Sequence, residues 1–130
     1  MSQIAVPVAY GELIDKIAIL EIKSERIRDT AKLVNVRGEL DLLNETWYAD
    51  PASRIDIVAE RTALRAVNEA LWDIEDDIRR KEKAKEFDAE FIELARAVYI
   101  RNDERAAIKR AINMKLGSTL IEEKSYQNYT

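Results

Sequence analysis

The chain has 130 residues, of which 47% are hydrophobic and 35% charged, and its net charge is −4, from 21 basic and 25 acidic residues. This composition is typical of one globular domain, and the negative net charge argues against binding to duplex nucleic acid. The sequence contains neither cysteine nor histidine, which excludes disulfides, thiolate zinc sites, cysteine nucleophiles and histidine bases.

The N-terminal segment predicts extended backbone. Residues 4–8 read IAVPV, which is rich in β-branched residues and interrupted by Pro7, as in an edge strand or a strap that lies across other elements. No basic region followed by a long apolar run stands near the start, and the longest apolar run there is IAIL at 17–20. We therefore expect no signal peptide and no membrane span, and a cytoplasmic location.

The first two helices follow from apolar residues repeated every three or four positions. The first is predicted over 10–29, and its apolar stripe is Leu13, Ile17, Leu20, Ser24 and Ile27. The second is predicted over 31–49 behind an N-cap at Thr30, with Leu33, Val36, Leu40, Leu43 and Trp47 on one face. Pro51 ends it, because the residue before a proline is disfavoured in helix.

The other two helices are longer. Ser53 is the expected N-cap of a third helix over 53–83, with Asp56 near its positive end. Asp88 is the expected N-cap of a fourth helix over 88–116, which Gly117 ends as a C-terminal glycine. Residues 117–130 are a tail, which we expect to be ordered only if Leu120 and Ile121 find a groove.

These elements predict an all-α fold in a single domain over residues 1–130. We expect an elongated antiparallel four-helix bundle of long helical hairpins, with a short extended N-terminal strap and a C-terminal tail. Helices three and four are each about 40 Å long at 1.5 Å per residue. Helices of this length with stripes that repeat every 3.5 residues leave apolar surface uncovered, which favours a homodimer.

The sequence resembles a family of small proteins over most of its length. The segments that carry the resemblance are GELIDKIAILEIKSERI, NVRGEL, VNEALWDIEDDIRR, FIELARAVYIRNDERAAIKRAIN and LIEEKSY, in this order, over about residues 9–126. The family contains bacterial and phage proteins and is catalogued as a domain of unknown function, sometimes attached to glycosyltransferase-like or tetratricopeptide-repeat proteins. The resemblance implies a compact helical domain and brings no catalytic residues or cofactor.

Three helices place polar side chains in or beside their apolar stripes, where an unpaired charge would be costly. Arg105 falls in the stripe of helix four, so it needs a carboxylate, a wet channel or a ligand. In one interpretation Arg105 pairs with Glu21, and Arg101 or Arg79 pairs with Glu75, either within the chain or across a dimer. Such a network sets helix register and partner choice, and the protein is then a non-enzymatic interaction or accessory module.

In the alternative interpretation the same residues bind a small anion such as a phosphate, a carboxylate or a nucleotide-sugar, as a binding protein or an enzyme. Arginine suits this role because it donates two parallel hydrogen bonds to such groups. The candidate ligand-binding residues are Glu21, Trp72, Glu75, Arg79, Tyr99, Arg101, Asn102, Arg105 and Lys109. We expect no metal site, no cofactor and no membrane partner.

Two further patterns favour enzymes less strongly. Asp73, Asp76, Glu90 and Glu93 are similar to the carboxylates of all-α nucleotide pyrophosphohydrolases, but Glu93 faces away from the apolar stripe, so convergence on one Mg²⁺ is not expected. The stretch LIDKIAILEIKSER is similar to the first helix of all-α chorismate mutases, but the arginine that should precede its Ile-Asp pair is missing.

Overall fold

The computed structural model describes residues 2–130, and in this range the chain is all-α, as predicted. It forms α1 (Tyr10–Arg26), α2 (Thr30–Ala49), a short 3-10 helix (Pro51–Arg54), α3 (Val58–Ala84) and α4 (Ala89–Leu116). Residues 2–9 have no partner strand, and no strand occurs anywhere in the described range. The edge-strand alternative for the IAVPV segment is therefore wrong, and Ile4 and Val6 are largely exposed.

The turn between α1 and α2 lies slightly earlier than predicted. α1 ends at Arg26, and Ile27 takes an extended conformation whose amide still donates to the carbonyl of Lys23. Asp29, and not Thr30, is the N-cap of α2, because its carboxylate accepts a hydrogen bond from the Lys32 amide at 3.1 Å. A carboxylate at this position also interacts favourably with the positive end of the helix dipole.

The predicted start of the third helix at residue 53 is wrong, because the chain first makes the 3-10 turn that begins at Pro51. The carboxylate of Asp50 caps this turn by accepting from the Ala52 amide at 2.9 Å. α3 starts only at Val58, whose amide donates to the Asp56 carboxylate at 3.0 Å. Ser53 is therefore no cap of α3.

The two predicted ends of the fourth helix are confirmed. The Asp88 carboxylate accepts a hydrogen bond from the Phe91 amide at 3.0 Å. Gly117 closes the helix with a φ of 67°, a conformation that glycine adopts without steric cost. Lys85 takes a similar left-handed conformation, with a φ of 56°, in the turn that joins α3 to α4.

The hydrophobic core lies towards one end of the long α3–α4 hairpin. Its fully buried members include Ile14 and Ile17 from α1, Trp47 from α2, Leu64 from α3 and Ile112 from α4. α1 packs against the other three helices, while α2 packs mainly on α1. None of the helices described in residues 2–130 is both long enough and apolar enough to cross a membrane.

The other end of the hairpin, residues 74–98, is here called the arm. The apolar stripe of the arm is only half-buried, whereas the stripe around the core is buried. The residues of the arm's stripe are Ile74, Ile78, Phe91, Leu94 and Val98. Two arm residues, Phe87 and Ile92, are each 55% exposed. The apolar stripe between α3 and α4 is therefore less completely buried in the arm than at the core end of the hairpin.

Candidate functional site

The most deeply buried charge in the described chain is the carboxylate of Asp15, whose side chain is 1% exposed. Its Oδ1 accepts from the Arg105 Nε at 3.0 Å and from the Asn68 Nδ2 at 2.9 Å. Its Oδ2 forms a further short contact with the Arg105 Nη2. Three helices thus meet at one carboxylate, with Asp15 on α1, Asn68 on α3 and Arg105 on α4.

The ion pair explains why a helix carries arginine in its apolar stripe. The hydrogen bonds from Arg105 to Asp15 raise the pKa of the Arg105 guanidinium and outweigh the opposing effect of burial. A guanidinium that donates from two nitrogens to one carboxylate also defines the relative position of the two helices. The predicted partner, Glu21, is wrong: it lies near Arg61 at 3.6 Å and Arg65 at 3.9 Å.

One helical turn further along α4, Lys109 forms a second charged contact and is buried. Its Nζ donates to Glu12 of α1 at 2.7 Å and to Glu122 of the tail at 3.5 Å. Burial alone would lower the pKa of Lys109, but the hydrogen bond to Glu12 and the nearby carboxylates raise it overall. The positive charge of Lys109 in turn lowers the pKa of Glu122, against the effect of burial.

The close approach of α1 to α4 depends on a glycine. A Cβ at Gly11 would lie 2.4 Å from the carbonyl oxygen of Lys109, a separation that no folded protein tolerates without movement of the backbone. The Gly11 amide also donates to the Asn113 Oδ1 at 2.6 Å. Since Ala9 at the N-cap offers no side-chain acceptor, Asn113 of α4 takes the role of a cap for α1.

The C-terminal tail runs back along α4 from Gly117. The Glu123 carboxylate lies 3.1 Å from the Arg110 Nη1, and the Tyr129 ring packs edge-on against Tyr99 with centroids 5.0 Å apart. A hydrogen bond with Asp103 raises the pKa of the Tyr129 phenol. Leu120 and Ile121 remain substantially exposed. The tail therefore contacts α4 through these polar and aromatic groups and not through those two apolar side chains.

A groove of about 970 Å³ lies between α4 and the tail. It brings together four of the nine predicted site residues, namely Tyr99, Asn102, Arg105 and Lys109. The tail contributes further groups to its walls, at Glu122, Lys124, Tyr126, Gln127, Asn128, Tyr129 and Thr130. The groove holds basic groups, but carboxylates of the same chain already neutralise Arg105 and Lys109.

The other five predicted residues lie elsewhere. Arg101 is exposed and pairs with Glu104 at 3.0 Å within its own helix, and not with Glu75. Arg79 does pair with Glu75, at 3.5 Å, as one of the two expected combinations. That pair is exposed and does not belong to an interior network, because the side chains are 79% and 47% exposed.

Trp72 and the acidic residues of the arm also lie outside the groove. The Arg26 guanidinium stands 5.8 Å from the centre of the Trp72 ring and pairs with Asp73 at 2.6 Å. In the described part of the chain, no three carboxylates form a group that could hold a metal ion. Asp73, Asp76, Glu90 and Glu93 are thus not gathered into such a group in the described residues.

Asp15, Asn68 and Glu12 were missed as network residues by sequence reasoning. A signal for Asp15 was present, because it precedes Ala18 by three positions and Ile22 by seven, and both are buried in α1. Residues with that spacing share one face of a helix. Nothing in the spacing indicates that Asn68 of α3 would reach the same carboxylate.

Comparisons with known proteins identify a family and no activity. No curated protein matches the chain, and no solved structure matches it either. The model of one family matches residues 4–130, and its description reads "Family of unknown function (DUF6165)". Because that match spans nearly the whole sequence, the chain belongs to this family of unknown function.

Proposed function

We propose that the protein is a non-enzymatic helical interaction or accessory module that acts as a homodimer through its arm. The observation that carries the proposal is the half-buried apolar stripe of the arm, together with its exposed Phe87 and Ile92. A two-helix hairpin of this kind buries its stripe fully only when another helical surface packs on it. A second copy supplies such a surface at the same concentration as the first.

The interior charges support a structural role. Arg105 and Lys109 each contact a carboxylate of another helix, and the carboxylate of Asp15 also accepts from Asn68. A charge that is already paired and hydrogen-bonded sets helix register. Such a basic side chain binds a substrate anion strongly only if the carboxylate partner moves away.

The proposal includes the overall arrangement of the helices as an elongated antiparallel bundle. Glu60 in the first turn of α3 lies 2.8 Å from Lys115 in the last turn of α4. The hydroxyl of Tyr10, at the start of α1, donates to Asp50, just after the end of α2. Both contacts join the start of one helix to the end of its neighbour, as antiparallel packing requires.

Light scattering on the full chain tests the homodimer. At micromolar concentration we expect about twice the chain mass of 15.0 kDa. Hydrogen exchange at low and high protein concentration provides the second readout. Dimerisation should slow exchange in the arm and leave α2 unchanged, and a mass of one chain at all concentrations would refute the proposal.

A second candidate function is the binding of a small anion, such as a phosphate, a carboxylate or a nucleotide-sugar, in the groove between α4 and the tail. The observation that favours it is the convergence of Tyr99, Asn102, Arg105 and Lys109 on that groove. An anion would have to displace Glu122 from Lys109 to bind there. Phosphate or citrate should then raise the melting temperature of the wild type, and replacement of Arg105 by methionine should abolish that increase.

The setting of the protein is also part of the proposal. We place it in the cytoplasm of a bacterium or a phage-infected cell, where it acts alone or as a segment attached to a glycosyltransferase-like or tetratricopeptide-repeat protein. A non-enzymatic helical module suits such a role, because it adds a binding surface to its partner and does not compete for the partner's substrate.

A further inference from the structure

The side of α2 that points away from the rest of the chain is apolar at its centre. α2 packs mainly on α1, through the side that carries the buried Val36 and Trp47. On the opposite side Val34 is 68% exposed and Leu42 is 40% exposed, with Gly38 between them. These three residues are four positions apart and therefore share one side of the helix, which we call the α2 outer face.

Gly38 has no evident role within the single chain. A glycine inside a helix lowers its stability relative to alanine. The φ of Gly38 is not positive, and a Cβ at this position would meet nothing within 4 Å. A glycine also lets another backbone approach closely, as Gly11 does for α4. The exposed Gly38 therefore offers the same close approach to a helix from outside the chain.

The charges of α2 are arranged against the helix dipole. Along the helix the two basic residues come first and the three acidic residues follow, namely Lys32, Arg37, Glu39, Asp41 and Glu45. A helix is stabilised by the reverse order. In residues 2–130 none of these five side chains forms an ion pair, whereas residues of α1, α3 and α4 form many. This order suits a neighbouring helix with the same charges that runs in the opposite direction.

We propose that the α2 outer face pairs antiparallel with the α2 outer face of a second copy, about a twofold axis at Gly38. The basic end of each helix then lies beside the acidic end of the other. A twofold interface must be complementary to itself, and the charge order of α2 meets this requirement. The antiparallel arrangement also sets the two helix dipoles in opposite directions.

The axis at Gly38 determines which residues meet. Val34 and Leu42 each lie four positions from the axis, so Val34 of one copy is level with Leu42 of the other, and this apolar contact occurs twice. The two copies of Gly38 face each other where the backbones are closest. On one flank, Arg37 of each copy lies nearest Asp41 of the other. The apolar contacts supply affinity, and the charge pairs mainly select the orientation.

This surface is separate from the arm, and the proposal does not rest on the arm homodimer. α2 is about 30 Å long at 1.5 Å per residue. One pair of helices of this length buries less than the roughly 1,200–2,000 Å² of a typical stable interface. We therefore expect the α2 contact to be weaker than a contact through the arm, and to join arm dimers into a larger assembly as the protein concentration rises.

Disulfide formation at single introduced cysteines tests the axis. The chain contains no cysteine, so Gly38→Cys and Glu45→Cys each introduce the only thiol. Two thiols at Gly38 face each other across the axis, and the Gly38→Cys variant should form covalent dimers on mild oxidation. Two thiols at Glu45 each lie seven residues from the axis, about 21 Å apart along the helix, beyond the reach of a disulfide. Exposed Glu45 is thus the control for random collision.

Charge reversal at Arg37 and Asp41 is the second test and leaves Gly38 in place. Arg37→Glu makes all four charges on that flank acidic, and Asp41→Arg makes them all basic. Each change should raise the dissociation constant of the α2 contact by about tenfold or more in sedimentation velocity at rising concentration. The equal mixture of the two variants, and the variant with both changes, should regain the association. Circular dichroism should show unchanged helix content.

Two controls separate the α2 contact from net charge and from the arm. Lys16→Glu makes the same change of net charge as Arg37→Glu at an exposed position of α1, and it should leave the association unchanged. Phe87→Ser with Ile92→Ser removes the two most exposed apolar side chains of the arm. Added to Gly38→Cys, these two changes should leave the disulfide yield unchanged.

The outcomes distinguish this inference from the proposed homodimer. If light scattering reports a dimer but Gly38→Cys links no faster than Glu45→Cys, the α2 pairing is refuted and the arm homodimer stands. If the wild type is a single chain at micromolar concentration and Gly38→Cys alone links, the arm homodimer is refuted and the α2 pairing stands. Linking at both positions would refute the antiparallel geometry. Linking at neither would refute a second copy as the occupant and leave the face to a helix of another protein.

Discussion

Replacement of Arg105 by methionine is the change that best tests the account of the interior. The side chain of Arg105 is 28% exposed, whereas that of its partner Asp15 is 1% exposed. Methionine fills most of the same volume but donates no hydrogen bond. The variant therefore leaves a buried carboxylate with Asn68 as its remaining donor.

The magnitude follows from the cost of an unpaired buried charge. Removal of one partner of a buried ion pair typically costs about 3–5 kcal/mol. Water reaches the Arg105 side of the pair, and Asn68 still donates, so we expect a loss of about 3 kcal/mol. For a domain of this size, that loss lowers the melting temperature by roughly 10–15 °C.

Substitution of the whole network should restore most of this loss. The variant with Asp15→Leu, Asn68→Leu and Arg105→Met removes the charges and the amide together. Replacement of a buried ion pair by apolar residues is often neutral, so its stability should lie within about 1 kcal/mol of the wild type. If Asn68 is kept, its buried amide loses its acceptor at a cost of about 1–3 kcal/mol.

Urea unfolding followed by circular dichroism measures these differences. Arg101→Met is the matched control, because Arg101 is an exposed arginine of the same helix that pairs with Glu104 within that helix. It should change stability by less than about 0.5 kcal/mol. A loss below about 1 kcal/mol for Arg105→Met would refute the structural role of the pair, and a gain in stability would favour the anion site.

Four other changes test local features of the structure. Gly11→Ala should lower the free energy of unfolding by about 2 kcal/mol or more, because its Cβ would meet the carbonyl of Lys109. Gly38→Ala, in open space within α2, should raise the free energy of unfolding by about 0.5–1 kcal/mol in the same urea assay. The Asp88 pKa is lowered by hydrogen bonds from the Phe91 amide and from Lys81. Its stabilising effect is thus complete above the unfolded pKa of about 3.9 and is lost as pH falls through the lowered folded value. Asp88→Asn keeps a capping oxygen without the charge, so its unfolding free energy should fall less between pH 5 and pH 3 than that of the wild type. Deletion of 118–130 should cost under about 1 kcal/mol by thermal melting, because the carboxylates of Glu122 and Glu123 are partly or largely exposed and Lys109 keeps Glu12 as its closer partner. A larger loss would show that the tail belongs to the core.

The helical class and most of the helix positions were predictable from the sequence. Helix periodicity and capping are local properties, because the residues that decide them lie within four positions of each other. Asp88 and Gly117 mark the ends of α4 for this reason. The start of α3 was predicted wrongly. Serine is a common N-cap residue, but Pro51 favours a 3-10 turn that includes Ser53, and α3 begins only at Val58.

The position of Arg105 in an apolar stripe also indicated, before the fold was known, that it needs a carboxylate, a wet channel or a ligand, because an unpaired guanidinium is too costly there. It did not determine which carboxylate that partner is. Glu21 and Asp15 both lie on faces of α1 that can turn inwards, and the choice depends on how α1 crosses α3 and α4. That crossing depends on long-range packing, namely the close approach of Gly11 to the α4 backbone, which brings Asp15 to Arg105 and leaves Glu21 near Arg65.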